Sequence, residues 1–156
     1  CKAKNTKIIG DKMKLVVQKV KNASVTSEGI ITGKINKGYM VLVGIKATDT
    51  KAEADYLAKK LINLRIFEDE NEKMNLSIKD VGGELLLVSQ FTLYGDATQG
   101  NRPSFIEAAR PEQANELYEY FCNQCAKEIK VEKGVFQTHM EVSLINDGPT
   151  TIILER

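Results

Sequence analysis

Tryptophan is absent from this 156-residue chain, and histidine occurs once, at position 139. Cysteine and proline occur three times each. Each scarcity excludes something. An odd, small number of thiols does not make a disulfide framework and points to a reducing, cytoplasmic setting. A tetrahedral zinc site needs about four nitrogen, sulfur or carboxylate ligands, and the sequence implies neither a metal nor an organic cofactor. A Ser-His-Asp arrangement would have to use His139, and no G-x-S-x-G segment accompanies it. Neither G-x-G-x-x-G nor G-x-x-x-x-G-K-[ST] occurs, which leaves dinucleotide and P-loop readings without support. No apolar run approaches the ~20 residues that span a bilayer. Residues 1–12 are polar and lysine-rich, without the apolar stretch of a secretory signal.

What is present is the balance of an ordinary globular domain, 42% hydrophobic and 28% charged. The chain reads as a single domain over residues 13–156. Residues 1–12 read as an N-terminal extension, with Met13 the natural start or the extension a remnant of expression. The net charge of +1 conceals an asymmetry. Residues 1–40 hold nine lysines against Asp11 and Glu28, whereas the remainder holds 13 basic and 19 acidic residues. A basic front half can attract phosphates.

The first patterned segment, Met13 to Val20, is apolar and β-branched and reads as a strand. Short strands follow at 24–26 and 30–35 around a turn at Ser27-Glu28-Gly29. A turn at Lys37-Gly38 precedes Tyr39 to Ile45, an unbroken apolar run that suits a strand buried on both faces. Thr50 and Glu53 form a capping-box pair, and Ala54, Leu57, Ala58, Leu61 and Leu64 make one helical stripe. After a charged loop at 68–73 and a turn at Gly82-Gly83, residues 84–91 read as a second buried strand. Residues 94–102 read as loop. Pro111 and Glu112 open a helix whose apolar stripe runs from Ala114 to Ile129. Strands at 135–136, 140–145 and 151–154 close the chain, with a turn at Asn146-Asp147-Gly148-Pro149. The expected fold class is a mixed α/β domain with a largely antiparallel sheet and two main helices.

Most candidate chemistry dissolves on inspection. Cys122 and Cys125 have the spacing of a redox or zinc pair. They lie mid-helix on an apolar stripe, where thiols pack as small hydrophobes. The acids Glu68, Asp69, Glu70 and Glu72 lack Ca²⁺-loop spacing. His139 reads as a strand-edge histidine. Two segments stand apart. Ser89-Gln90-Phe91-Thr92-Leu93 ends an apolar strand with polar Gln90 and Thr92 directed to one side by alternation, ahead of a glycine-containing loop where a site can open. Asn146-Asp147-Gly148-Pro149-Thr150-Thr151, taken alone, is a turn.

Together these two segments resemble the signatures of the D-aminoacyl-tRNA deacylase family, also called D-tyrosyl-tRNA deacylase. The resemblance runs from Met13 to the C-terminus and includes GYMVLVGI (38–45), SQFTLYGD (89–96), NRPSF (101–105) and HMEVSLINDGPTT (139–151). It implies that family's fold and a homodimer that hydrolyses the ester linking a D-amino acid to the 3′-terminal adenosine of tRNA, with no membrane or DNA partner. Ser89, Gln90, Phe91 and Thr92 would form the catalytic segment, with main-chain N–H groups near Phe91 and Thr92 as an oxyanion hole and Thr92 positioning rather than attacking. Gly148 and Pro149, joined by a cis bond, would enter the partner's pocket and wall off L side chains. Asn146, Thr151, Phe136, Met140 and Lys19 would complete substrate binding, with Phe91, Phe136 and Met140 lining the adenosine pocket. Glycine offers nothing to reject, so glycyl-tRNA, including glycine mischarged on tRNA(Ala), would also pass. The alternative is a non-catalytic tRNA- or nucleotide-binding dimer on the same fold. Two positions depart from the family's pattern. Lys19 stands where arginine is common and lacks its planar fork. Thr150 stands where an apolar residue is common. Lys14, Lys19, Lys21, Lys34 and Lys37 are the expected phosphate contacts.

Overall fold

The computed structural model describes residues 12–156, so the expected extension lies, apart from Lys12, outside the described residues. One long strand organises the sheet. β1 (Lys14–Ser27) pairs antiparallel with β3 (Gly38–Gly44) along its first half and with β2 (Ile30–Ile35) along its second. On its other edge it pairs throughout with the equally long β8 (Met140–Glu155). The sequence reading divided each long strand in two. Polar residues at Lys21-Asn22 and 146–149 caused the division. In the structure these are irregularities of register inside continuous strands, so the expected turn at 146–149 is a bulge.

Beyond β3 the pairing becomes parallel. β6 (Glu84–Ser89) runs beside β3, and β7 (Val131–Lys133) runs beside β6. β7 was not foreseen, whereas the strand expected at 135–136 is a turn. The sheet is thus mixed, with its antiparallel part centred on β1. The charged segment expected as loop is bounded by a short hairpin, β4 (Phe67–Glu68) and β5 (Met74–Leu76).

α1 (Lys51–Asn63) crosses from β3 towards β6, and α2 (Pro111–Ala126) crosses from β6 to β7. The Thr50–Glu53 capping box opens α1 as the spacing predicts, and Leu64 is its C-cap. The helices pack on one face of the sheet. Leu57, Leu61, Leu117, Tyr118 and Phe121 meet Leu15, Val17, Val41, Leu85 and Leu87 there. A second cluster on the other face joins Val20, Val25, Ile35, Met40, Leu86 and Val88. Both Cys122 and Cys125 are buried in the helix-side core, where burial pushes their thiols up, Cys122 to about 12. Their role in the described structure is packing. None of the described helices is long and apolar enough to cross a membrane. Parallel β3 and β6 end together at Val43 and Ser89, and crevices beyond the carboxyl ends of parallel strands are where α/β proteins bind ligands.

Candidate active site

The crevice is there. A cavity of about 900 Å³ opens beyond Ser89, lined by Val43, Val88, Ser89, Gln90 and Phe91 on the strand side. Phe105, Ala108, Ala109, Pro111 and Ala114 make one wall, and Phe136 to Met140, with Val142, make the other. Why the chain turns here is local. Gln90 N–H donates to the Val43 carbonyl at 2.8 Å, and Phe91–Tyr94 then coil into a 3₁₀ turn. Leu93 and Tyr94 settle against Gly44, and the Tyr94 hydroxyl donates to the Gly44 carbonyl at 3.1 Å. β6 therefore ends at Ser89, two residues short of the strand expected over 84–91.

The 3₁₀ turn has a chemical consequence. The N–H groups of Phe91 and Thr92 open it, where helical geometry supplies no acceptor, and no side chain caps it. Two adjacent donors of this kind suit an oxygen that gains negative charge. The Gln90 side-chain amide donates to the Thr92 hydroxyl. Among the described residues, no imidazole or carboxylate bonds to that hydroxyl, so it is held by a neutral amide and not activated by a base.

Phe136 and Met140 lie on the cavity wall. The Met140 sulfur accepts the Val135 N–H at 3.3 Å, and Ser27 donates to Thr138 at 2.9 Å, tying this wall to the end of β1. His139 is on the wall too. Sequence reasoning set it aside for want of a nucleophile. Its one legible signal was its place beside Met140.

Asn146, Gly148, Pro149 and Thr151 do not line this cavity. They form a protrusion of β8. Gln18 pairs with Thr151 and Val20 with Asn146, so Lys19 alone opposes residues 147–150. Gly148 and Pro149, joined by a cis peptide bond, are exposed. Asn146 clamps the base of the protrusion. Its Oδ1 accepts the Thr150 N–H at 2.7 Å, and its Nδ2 donates to the Thr151 hydroxyl at 3.2 Å. Gln18 adds a second donor to that hydroxyl. Lys19 is 7% exposed, with its ammonium 5.7 Å from the centre of the Phe67 ring.

The wall from Phe105 to Ala109 is fastened to the corner between β3 and α1. Ala109 N–H donates to the Ile45 carbonyl at 2.9 Å, and the Lys46 ammonium donates to Glu107. Asp49 braces the same corner by accepting the Lys46 N–H at 2.6 Å. Burial, opposed by that N–H and reinforced by Glu53, pushes the Asp49 carboxyl up to about 6. A carboxyl whose pKa is higher folded than unfolded contributes stability below its unfolded value, lost as pH rises through the folded one. Stability of the protein is expected to fall between about pH 4 and pH 6, by on the order of 2 kcal/mol. In Asp49→Asn, which keeps an acceptor for the Lys46 N–H, the slope should flatten and stability at pH 7 should rise. Urea unfolding across this range tests it, and an unchanged slope in the variant would refute the assignment.

Among the described residues, no three His, Cys, Asp or Glu side chains converge as a metal site would require.

The site is a pocket beyond the ends of parallel strands, with an uncapped 3₁₀ turn starting at Phe91 and, among the described residues, no base bonded to the Thr92 hydroxyl. The comparisons identify the line of descent. The family model for D-Tyr-tRNA(Tyr) deacylase matches residues 16–155. A D-aminoacyl-tRNA deacylase of Koribacter versatilis is 61% identical over 144 residues, covering 92% of this chain and 97% of that protein. One from Thermosipho africanus is 56% identical over the same shares. Among solved structures, a c-Myc DNA unwinding element binding protein has a TM-score of 0.87 at 42% identity, covering 92% of this chain and 99% of that one. A probable eukaryotic D-amino acid tRNA deacylase shares the fold at a TM-score of 0.80 and 16% identity, covering 93% of this chain and 100% of that one. The chain belongs to the D-Tyr-tRNA(Tyr) deacylase family.

Proposed function

We propose that this chain is a D-aminoacyl-tRNA deacylase, a carboxylic ester hydrolase that frees a D-amino acid and tRNA in the cytoplasm. The observation that carries the mechanism is the 3₁₀ turn that begins at the cavity-lining Phe91, with no side-chain cap on its opening N–H groups among the described residues and with the adjoining Thr92 hydroxyl held by the Gln90 amide. An aminoacyl ester is activated already, so orientation and stabilisation of the oxyanion can suffice. Phe91 and Thr92 N–H groups receive the carbonyl oxygen as it becomes tetrahedral. Ser89 and Gln90 shape the floor, and Gln90 fixes the Thr92 hydroxyl as a positioning group. Phe136 and Met140 hold the terminal adenosine, whose vicinal 2′-hydroxyl can assist attack by water.

Chirality is judged by a second copy of the chain. Gly148 and Pro149 are exposed and do not line their own cavity. β8 pairs only with β1 among the described strands, and its other edge is suited to a twofold partner. In the homodimer, the protrusion of one subunit closes the pocket of the other. Its main chain holds the α-amino group and leaves room for a D side chain only. Asn146 and Thr151 set its shape, and Lys19 supports it from β1. Glycine has no side chain to collide, so glycyl-tRNA, including glycine on tRNA(Ala), is accepted.

The neighbour named for binding a DNA element keeps a non-catalytic nucleic-acid-binding reading in play. Hydrolysis of matched D- and L-tyrosyl-tRNA by wild type and Thr92→Ala separates the possibilities. Wild type should prefer the D ester by a factor of about 100 or more, consistent with rejection by collision. Thr92→Ala should retain activity lowered by roughly ten- to a hundredfold, the scale of one lost hydrogen bond. Equal D and L rates would remove the chiral wall, complete loss in Thr92→Ala would make Thr92 the nucleophile, and binding without release of amino acid would leave the non-catalytic reading.

A further inference from the structure

We infer that the cavity wall from Asn101 to Arg110 seats the single-stranded 3′ end of the substrate, with the base preceding the terminal adenosine stacked on Phe105 and adjacent phosphates met by Arg102 and Arg110. This rests on the aminoacyl-tRNA reading and adds where the strand leaves the pocket.

Aromatic rings rarely stay in water without a use, since their faces gain most from burial. Of the five phenylalanines in the chain, Phe91 and Phe105 are the exposed ones, at 56% and 36%. They meet edge to face at the cavity, with centroids 5.1 Å apart. Ile106 beside them is 82% exposed. Arg102 and Arg110 flank this surface in sequence, are exposed, and have no carboxylate partner among the described residues. Rings interleaved with free cations are the makings of a single-strand seat, because every base has a stacking face and every nucleotide a phosphate.

Three of the front-half lysines, Lys14, Lys19 and Lys37, are placed less well. Lys37 adjoins Gly38, which begins β3, whereas the cavity opens at the far end of that strand. At ~3.3 Å per residue the two lie roughly 20 Å apart along the sheet. Lys19 is buried, and Lys14 is 3.7 Å from Glu155. A nucleoside seated between Phe136 and Ala109 sends its preceding nucleotide over the rim, where Phe105 stands.

The test compares kcat/KM for D-tyrosyl esters of adenosine, of the dinucleotide cytidylyl-adenosine, and of tRNA. In wild type the dinucleotide should exceed adenosine by about tenfold, the scale of one base stacked on an aromatic ring. That ratio should fall towards one in Phe105→Leu and persist in Phe105→Trp. With the tRNA ester, Arg110→Gln should reduce the slope of log(1/KM) against log salt by about 0.7 to 0.9. A wild-type ratio near one, or an undiminished ratio in Phe105→Leu, overturns the proposal. An unchanged salt slope in Arg110→Gln overturns the phosphate contact. Failure to cleave any of the three esters would instead refute the aminoacyl-tRNA reading.

Discussion

Gly148→Ala is expected to lower kcat/KM for D-tyrosyl-tRNA by about 100-fold or more while leaving the chain folded. Gly148 has φ of +141°, a conformation side chains rarely adopt, and an added Cβ would lie 2.4 Å from the Thr150 hydroxyl and 3.0 Å from the Thr150 nitrogen. Thr150 cannot retreat cheaply. It is 8% exposed, and its N–H is bound by Asn146. The protrusion must therefore change shape. Misplacing a positioning element by about 1 Å can cost a factor of 100 in rate. Folding should suffer less, by about 1–3 kcal/mol, because β8 stays paired with β1 on both sides of the protrusion. Single-turnover hydrolysis with a parallel urea titration checks both halves. Activity within fivefold of wild type would show that the protrusion does not shape the site.

The largest effect on stability is expected at Gly38, where alanine should cost at least about 4 kcal/mol. A Cβ there would fall 1.8 Å from the Glu84 carbonyl oxygen and 2.6 Å from its nitrogen, with φ at +159°. Nothing flexible is available to give way. The obstacle is main chain, and Gly38 and Glu84 form the first pair of the parallel β3–β6 ladder. Relief requires separating the strands whose far ends carry the cavity. Urea unfolding measures the loss directly, and a value below about 1 kcal/mol would mean that the ladder can shift. Residual activity, if the variant folds, should show raised KM, since Val43 and Ser89 would no longer hold their spacing.

These two glycines show how differently positions were legible. Gly38 was read from the sequence as a turn residue, and nothing in the local pattern reveals that β6 presses against it. Gly148 stood out only as half of a motif. Alone, Asn146 to Pro149 has the composition of any tight turn, and the structure makes it a bulge because β1 runs on beneath it and keeps pairing. The same long-range pairing joined strands that polar residues had seemed to divide. Conversely, the expected strand at 135–136 lacked a partner. Val131–Lys133, too short to show a period, is a strand because Leu85 to Leu87 offer it an edge.

The sequence by itself determined the apolar strands, the capped α1, the proline-opened α2, the inert core cysteines and the two polar signatures, because each depends on neighbours within a few residues or on side-chain chemistry alone. Only the tertiary structure decided that Ser89 to Phe91 share a cavity with Phe105, Phe136, His139 and Met140, that the Gly148–Pro149 protrusion stands outside that cavity, and that Lys19 is buried while Arg102 and Arg110 are exposed. Those outcomes depend on which strand edges find partners and on where two parallel strands end together. They come from contacts between residues far apart in the chain, which local sequence preferences do not encode.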